Sequence, residues 1–299
     1  MTFDDGSAAA ARGVHGDSQG HTFERDGCRI HWWAAGESDA PTVVLTHGVT
    51  IDHGTFATQV PLLVAGGYRV ITWDLRAHGR SRPNAGRFAI ATAADDLDAL
   101  VYEVGAEQAV LLGQSFGGLI VQDLHRRHPR RVAGLVLAGS LPLGARPMWP
   151  LIALYGRLAP PLQRLWPEDH LRSLVPRFMS KRTDVREYVS HANRPLEHHD
   201  FAAATEAAVE GLVGYERLDR MDVPTLCVHG DSDLPFATRL VRQWAQRLPL
   251  VEVEVIRDAG HLVNQERPEA FSDRVLAFVG GLTWAQGRTA TPPDRASVA

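Results

Sequence analysis

The sequence predicts an α/β fold: a mostly parallel eight-stranded sheet with helices on both faces. Apolar runs at 42–46, 69–73, 109–113, 132–138, 225–229 and 251–256 alternate with helix-like segments near 54–64, 92–104, 116–128, 238–247 and 268–280. A strand that reaches the next strand through a helix returns parallel to it, and a strand covered on both faces reads as a continuous apolar run. Length agrees, since 299 residues with 44% hydrophobic content can bury a large core in one unit.

The elements follow in chain order. Phe23–Arg25 and Arg29–Ala34 flank Asp26 and Gly27, a hairpin signal that supplies the first two strands. Before them, residues 1–20 are rich in Gly, Ala, Ser and Asp, with no basic stretch leading into an apolar one. They read as a disordered leader rather than a signal peptide. The six apolar runs complete the sheet, giving a core over 21–140 and 220–282. From 141 to 219 the alternation stops, and helix-like stretches near 151–158, 168–180, 183–191 and 199–217 sit among eight prolines. Residues 283–299, with paired prolines, read as a disordered tail.

Chemistry enters at the strand ends. Gly113-Gln114-Ser115-Phe116-Gly117 follows the run Ala109–Leu112 and precedes a helical stretch with apolar Leu119, Ile120, Val121 and Leu124. A serine on so sharp a strand-to-helix turn is forced into strained backbone angles, and its flanking positions need side chains no larger than hydrogen. The turn lifts the hydroxyl to the top of the sheet, where the helix aims free N–H groups and its positive end at any anion that forms. A hydroxyl is a weak nucleophile and needs a base, with a carboxylate to orient that base. Both appear further on: Asp231 and Asp233 lie in the turn after Thr225–His229, and His261 lies just past Val251–Ile256. Loops at the carboxyl ends of parallel strands converge on one edge, where Ser115, Asp233 and His261 can meet.

Over roughly residues 21–280 the chain resembles the α/β-hydrolase superfamily, in its serine-nucleophile branch of esterases, enol-lactonases and cofactor-free haloperoxidases. The match consists of the Gly-x-Ser-x-Gly elbow, the acid and histidine after late strands, His47-Gly48 after Thr42–Thr46, and Asp74-Leu75-Arg76-Ala77-His78-Gly79-Arg80-Ser81. Ala77 stands where the family usually has glycine. The resemblance implies Ser115 as nucleophile, His261 as base and Asp233 as the acid, in preference to Asp231, which would shape its turn. It also implies an oxyanion hole from the N–H groups of Val49 and Phe116, and a helical cap inserted at 141–219. His47 and His78 read as structural braces of their loops. Phe56 stands where the haloperoxidase and lactonase branches often carry Trp, and it is expected, with Trp149 and Tyr155 of the cap, to line an apolar substrate site.

Composition narrows the partners. The formal net charge is −4 with acids and bases mixed along the chain, which offers no surface for nucleic acid or an anionic membrane. No run of 18 apolar residues offers a membrane span. Lys181 is the only lysine, so Schiff-base chemistry has little to work with, and the 14 histidines show no metal-ligand spacing. Cys28 and Cys227 read as buried small hydrophobes in a reducing cytoplasm. The expected function is cofactor-free and metal-free hydrolysis of a carboxylester or lactone of a moderately apolar small molecule. Perhydrolysis of the haloperoxidase type, carbon–carbon hydrolysis and ligand reception without turnover are the alternatives. An elbow serine suits none of the epoxide or haloalkane chemistry for which the superfamily uses an aspartate. Sequence leaves the oligomeric state open.

Overall fold

A computed structural model of the chain describes residues 20–82, 88–145, 154, 158, 168–196 and 198–283. Within them lie eight strands: β1 (His21–Arg25), β2 (Cys28–Ala35), β3 (Thr42–Thr46), β4 (Arg69–Trp73), β5 (Ala109–Gln114), β6 (Val132–Ala138), β7 (Thr225–Gly230) and β8 (Val251–Ile256). They form one sheet in the order β1-β2-β4-β3-β5-β6-β7-β8. The pairs β1/β2 and β2/β4 are antiparallel and every other pair is parallel.

Helices cover both faces: α1 (Gln59–Ala65), α2 (Ile90–Glu103), α3 (Phe116–Arg127), α4 (Glu168–Met179), α5 (Thr183–Asn193), α6 (His198–Val213), α7 (Pro235–Ala245), α8 (Val263–Glu266) and α9 (Pro268–Gly280). Strand side chains alternate between two cores, as a period of two requires. Val44, Leu111, Leu135, Leu137 and Cys227 join Leu97, Ile120, Val241 and Trp244 from α2, α3 and α7. Val43, Leu45, Val110, Leu112, Val136 and Val228 join Leu63, Phe271 and Val275 from α1 and α9. Both cysteines are buried.

The chain lays β3 and β4 side by side, then crosses back so that β5 pairs with the other side of β3. Strand order reverses there, and the carboxyl ends of β3 and β5 flank the crevice where open α/β sheets hold their ligands. His47 follows β3 and Ser115 follows β5 at that crevice.

Three boundaries differ from the sequence expectation. The stretch 54–64 breaks into a short 3-10 turn, His53–Phe56, and α1. The Thr55 carbonyl accepts from Asn264 Nδ2 at 2.9 Å, so a side chain takes the acceptor that a continuous α-helix would use. Helix α6 stops at Val213, before Gly214, and α7 starts at Pro235, where a missing N–H costs nothing.

Candidate active site

Ser115 sits between the end of β5 and the start of α3 with φ 52° and ψ −113°. A non-glycine residue held there stores about 1–3 kcal/mol of strain, which the surroundings must impose. Its N–H donates to Ala138 O on β6 at 2.8 Å, and its carbonyl accepts from Gly118 N at 3.0 Å. The flanking glycines are required by close approach. A Cβ on Gly113 would fall 2.4 Å from Gly117 backbone, and one on Gly117 would fall 2.2 Å from Thr46 O.

His261 Nε2 lies 2.8 Å from Ser115 Oγ, and its Nδ1 lies 3.0 Å from Asp233 Oδ1. The three side chains, from three loops at one sheet edge, form a continuous hydrogen-bonded line. Asp233 is held on every side: Leu234 N donates to Oδ1 at 2.7 Å, and His229 Nδ1 lies 3.3 Å from Oδ2. Burial pushes the Asp233 pKa up, but the hydrogen bonds and charges of His229 and His261 outweigh it and hold the carboxyl well below the usual range. Asp231, two residues earlier, is exposed and turns the other way. Its Oδ1 accepts from Ser232 Oγ at 3.2 Å and Ala259 N at 3.4 Å, bracing the β7 and β8 loops against each other.

Beside the serine runs the loop after β3. A Cβ on Gly48 would stand 3.2 Å from Ser115 Cβ, so this loop passes directly against Ser115. Neither the Val49 nor the Phe116 N–H meets an acceptor among the described residues. Two buried histidines shape the loop. His47 Nδ1 donates to Gly48 O at 2.7 Å while its Nε2 accepts Leu75 N–H at 3.0 Å. His78 Nδ1 donates to Arg76 O at 3.0 Å while its Nε2 accepts Thr50 N–H at 3.1 Å. Each imidazole therefore bridges two backbone groups as a neutral ring. Burial lowers both pKa values, His47 to about 3, with the neighbouring His78 adding to the effect, and His78 to about 4.

The same loop is anchored to β4 by Asp74, whose Oδ1 accepts from His53 N at 2.9 Å and His53 Nδ1 at 2.8 Å. Burial alone would raise the Asp74 pKa. The charge and hydrogen bond of His53 bring it well below the carboxylate range instead.

Phe56 does not face a substrate site. It is fully buried and continues the apolar stripe of α1, Phe56, Val60 and Leu63, into the core shared with Val43 and Leu45. The 3-10 turn leading into α1 carries that helix's core-facing side back to residue 56. Trp149 and Tyr155 lie outside the described residues. An aromatic that does stand at the site is Phe178 of α4, 65% exposed, its ring centroid 6.3 Å from that of His261. His229 and Tyr188 also reach site loops without having been singled out from sequence. His229 carried one signal, a polar residue ending an otherwise apolar strand. Tyr188 carried none.

A sequence model of the alpha/beta hydrolase fold matches residues 41–268. The chain belongs to this family. It is 30% identical over 214 residues to epoxide hydrolase B of Mycobacterium tuberculosis, covering 66% of this chain and 59% of that relative; it thus spans less than two thirds of that relative's length. It is 27% identical over 255 residues to 3-oxoadipate enol-lactonase 2 of Acinetobacter baylyi, covering 84% of this chain and 92% of the relative. Among solved structures, the enol-lactonase of Burkholderia xenovorans superposes with TM-score 0.72 at 25% identity, covering 86% of this chain and 99% of that one. The bromoperoxidase of Bacillus anthracis, at 23% identity and TM-score 0.71 over 84% of this chain and 95% of its own, shares the fold. Among the described residues, no helix is long and apolar enough to cross a membrane, and no group of three His, Cys, Asp or Glu side chains could hold a metal ion.

Proposed function

We propose that the protein is a serine hydrolase that cleaves a carboxylester or lactone of a moderately apolar small molecule through an acyl-enzyme on Ser115. The observation that carries the reading is the 2.8 Å contact between His261 Nε2 and Ser115 Oγ, with Asp233 behind the imidazole. Asp233, ionised and buried, accepts the Nδ1–H of His261 and leaves Nε2 free to take the serine proton. As that proton moves, Oγ bonds to the carbonyl carbon and the carbonyl oxygen gains the negative charge. The N–H groups of Val49 and Phe116 receive it, at the positive end of α3. His261 then returns the proton to the departing alkoxide as the carbon–oxygen bond breaks. A water molecule repeats the cycle on the acyl-enzyme. In a lactone the departing oxygen stays tethered to the acyl chain.

A serine also argues against following the epoxide hydrolase likeness to its chemistry. Attack of Oγ on an epoxide carbon would leave an ether, which has no carbonyl for water to attack, so the enzyme would stall after one turnover. The apolar substrate preference is supported by Phe178, left 65% exposed beside His261, and by Leu174, 43% exposed one turn earlier on the same helix α4. In this reading the insertion at 141–219 is a cap over the catalytic edge, and the enzyme works in the cytoplasm without metal or cofactor.

The test is a panel of p-nitrophenyl esters and lactones with Ser115→Ala as the blank, run alongside a fluorophosphonate that mimics the tetrahedral intermediate. Turnover by the unmodified protein with covalent labelling of Ser115 is the expected result. A label recovered on another serine, or turnover that needs both peroxide and a carboxylic acid, would replace this function.

A further inference from the structure

The loop that carries the Val49 N–H is held from two sides, and one of them is the insertion between β6 and β7. On the core side, His78 takes Thr50 N–H and Asp74 takes His53. On the other side, Ile51 is buried in an apolar cluster with Met179 of α4 and Val185 and Val189 of α5. Tyr188 of α5 reaches the next residue. Its hydroxyl donates to Asp52 Oδ1 at 2.9 Å with the Asp52 carbonyl oxygen at 3.1 Å, and the hydroxyl oxygen faces Asp52 N–H at 3.5 Å. The Tyr188 ring closes on Gly54, where a Cβ would stand 3.5 Å away. Burial and the neighbouring Asp52 raise the Tyr188 pKa well above its ordinary value, so the hydroxyl keeps its proton.

Between Val49 and the anchored Ile51 and Asp52 lies Thr50 at φ 67°. A β-branched residue is a strong outlier in the left-handed region, and it stays there only while its neighbours are held. Asp52, the residue gripped by Tyr188, is three positions from Val49. An oxyanion donor works only when it is aimed at where the charge develops, and a displacement of about 1 Å can cost about 10²-fold in rate.

We propose that Tyr188 is a positioning residue for the oxyanion hole: through Asp52 it makes the placement of α5 a condition for the Val49 N–H to face the substrate carbonyl. This rests on the acyl-enzyme reading above. It gives the insertion a second role besides enclosing substrate, because α5 and the loop after β3 must be docked together before the transition state is stabilised.

Tyr188→Phe keeps the ring and removes the hydroxyl. With a p-nitrophenyl ester, kcat should fall about tenfold while KM stays within about twofold, since the lost interaction acts in the transition state. Inhibition by a trifluoromethyl ketone, which forms an oxyanion adduct with Ser115, should weaken by the same factor as kcat. Asp52→Ala removes the carboxylate half of the contact, together with the cap it makes on Gly54 N–H, and answers the same question should Tyr188→Phe not fold. The double variant should be no slower than the worse single, as for two residues acting through one contact. Unchanged kcat and inhibition with a lowered Tm would reduce Tyr188 to packing, and a raised KM at constant kcat would make it a substrate contact. Additive losses would make the two residues independent; any of these three overturns the proposal. Failure of the fluorophosphonate to label Ser115 in the unmodified protein overturns the parent reading and this one with it. Labelling with an unaltered Tyr188→Phe rate overturns this one alone.

Discussion

The two sides of Ser115 are built in different ways. On one side, His261 and Asp233 meet the serine through side chains whose chemistry admits few substitutes, each at the end of a core strand. On the other, in the proposed function the loop after β3 offers a backbone N–H, which any residue but proline possesses, and its placement is left to surrounding braces: His47, His78, Asp74 and Tyr188. The first side fails when a functional group is lost. The second fails when a shape is lost, so damage there should appear as graded losses and as sensitivity to conditions.

The sharpest test of that contrast begins with the base. His261→Ala should lower kcat by about 10⁴-fold or more, because among the described residues His261 Nε2 is the group hydrogen-bonded to Ser115 Oγ that can take its proton. A loss below about tenfold would mean that another group does this work. Next comes the acid. Asp233→Asn preserves shape but presents an amide that can favour the wrong tautomer of His261, an effect worth about 10⁴-fold in a well-studied serine protease. Asp231→Asn should stay within about threefold of the native rate, since an amide makes similar turn hydrogen bonds. Steady-state kinetics on both, with folding checked by circular dichroism, decides. If Asp231→Asn is the damaged one, the acid has been assigned two residues too late.

His229 provides an intermediate case, a side chain that acts on the acid rather than on substrate. With Asp233 ionised, His229 Nδ1 must be the donor to Oδ2 at 3.3 Å. His229→Leu should reduce kcat about tenfold, the effect of one hydrogen bond to a charged group, about 1.5 kcal/mol. His229→Asn, whose amide nitrogen can take the place of Nδ1, should recover most of the loss. Equal rates for the leucine variant and the native protein would make His229 a spectator.

The two histidine braces on the other side should also show in stability. His47 and His78 have folded pKa values of about 3 and about 4, well below the ordinary value of 6.5 that they regain on unfolding. Below pH 6.5 the unfolded chain binds the protons that the folded chain refuses. Their contribution is therefore complete above about pH 6.5 and is lost as pH falls toward 4 and then 3. His53 opposes this: its pKa is raised, burial notwithstanding, by Asp74, so its contribution is full in acid and fades as pH rises. With two fully buried rings against one, Tm should fall steadily below pH 6.5. His78→Gln, which keeps an acceptor for Thr50 N–H but cannot titrate, should flatten that fall. An unaltered slope in the variant would remove His78 from the account.

The smallest effect is expected at Ala77, in the position where glycine is usual. Its φ of 68° costs about 1 kcal/mol for a residue with a Cβ, while its methyl is fully buried, which returns about 0.8 kcal/mol. Ala77→Gly should thus leave Tm nearly unchanged. A shift beyond about 5 °C in either direction would show that one of the two terms has been misjudged.

Much of this architecture could be read along the chain. Strand runs buried on both faces are apolar without interruption, so six parallel strands and the hairpin stood out by composition alone, and Ser115, Asp233 and His261 were marked by lying just past strand ends. The reading went astray where a residue type has two uses. Phe56 is as suitable for a core stripe as for a pocket wall, and only the 3-10 turn, set by Asn264 more than 200 positions away, directs it inward. Asp231 and Asp233 have the same chemistry two residues apart, and the sequence alone, before any resemblance, left both open.

Local pattern and reactive side chains are properties of single positions and short windows, which is why the strands and the Ser115 turn are legible one residue at a time. The aim of the Val49 N–H and the grip of Tyr188 on Asp52 depend on contacts between segments as far as 136 residues apart in the chain. Backbone groups are identical at every position, and a tyrosine on a helix looks the same whether it meets solvent or a catalytic loop. Those features come into being only when folding brings the segments together, because what distinguishes them is the partner and not the residue.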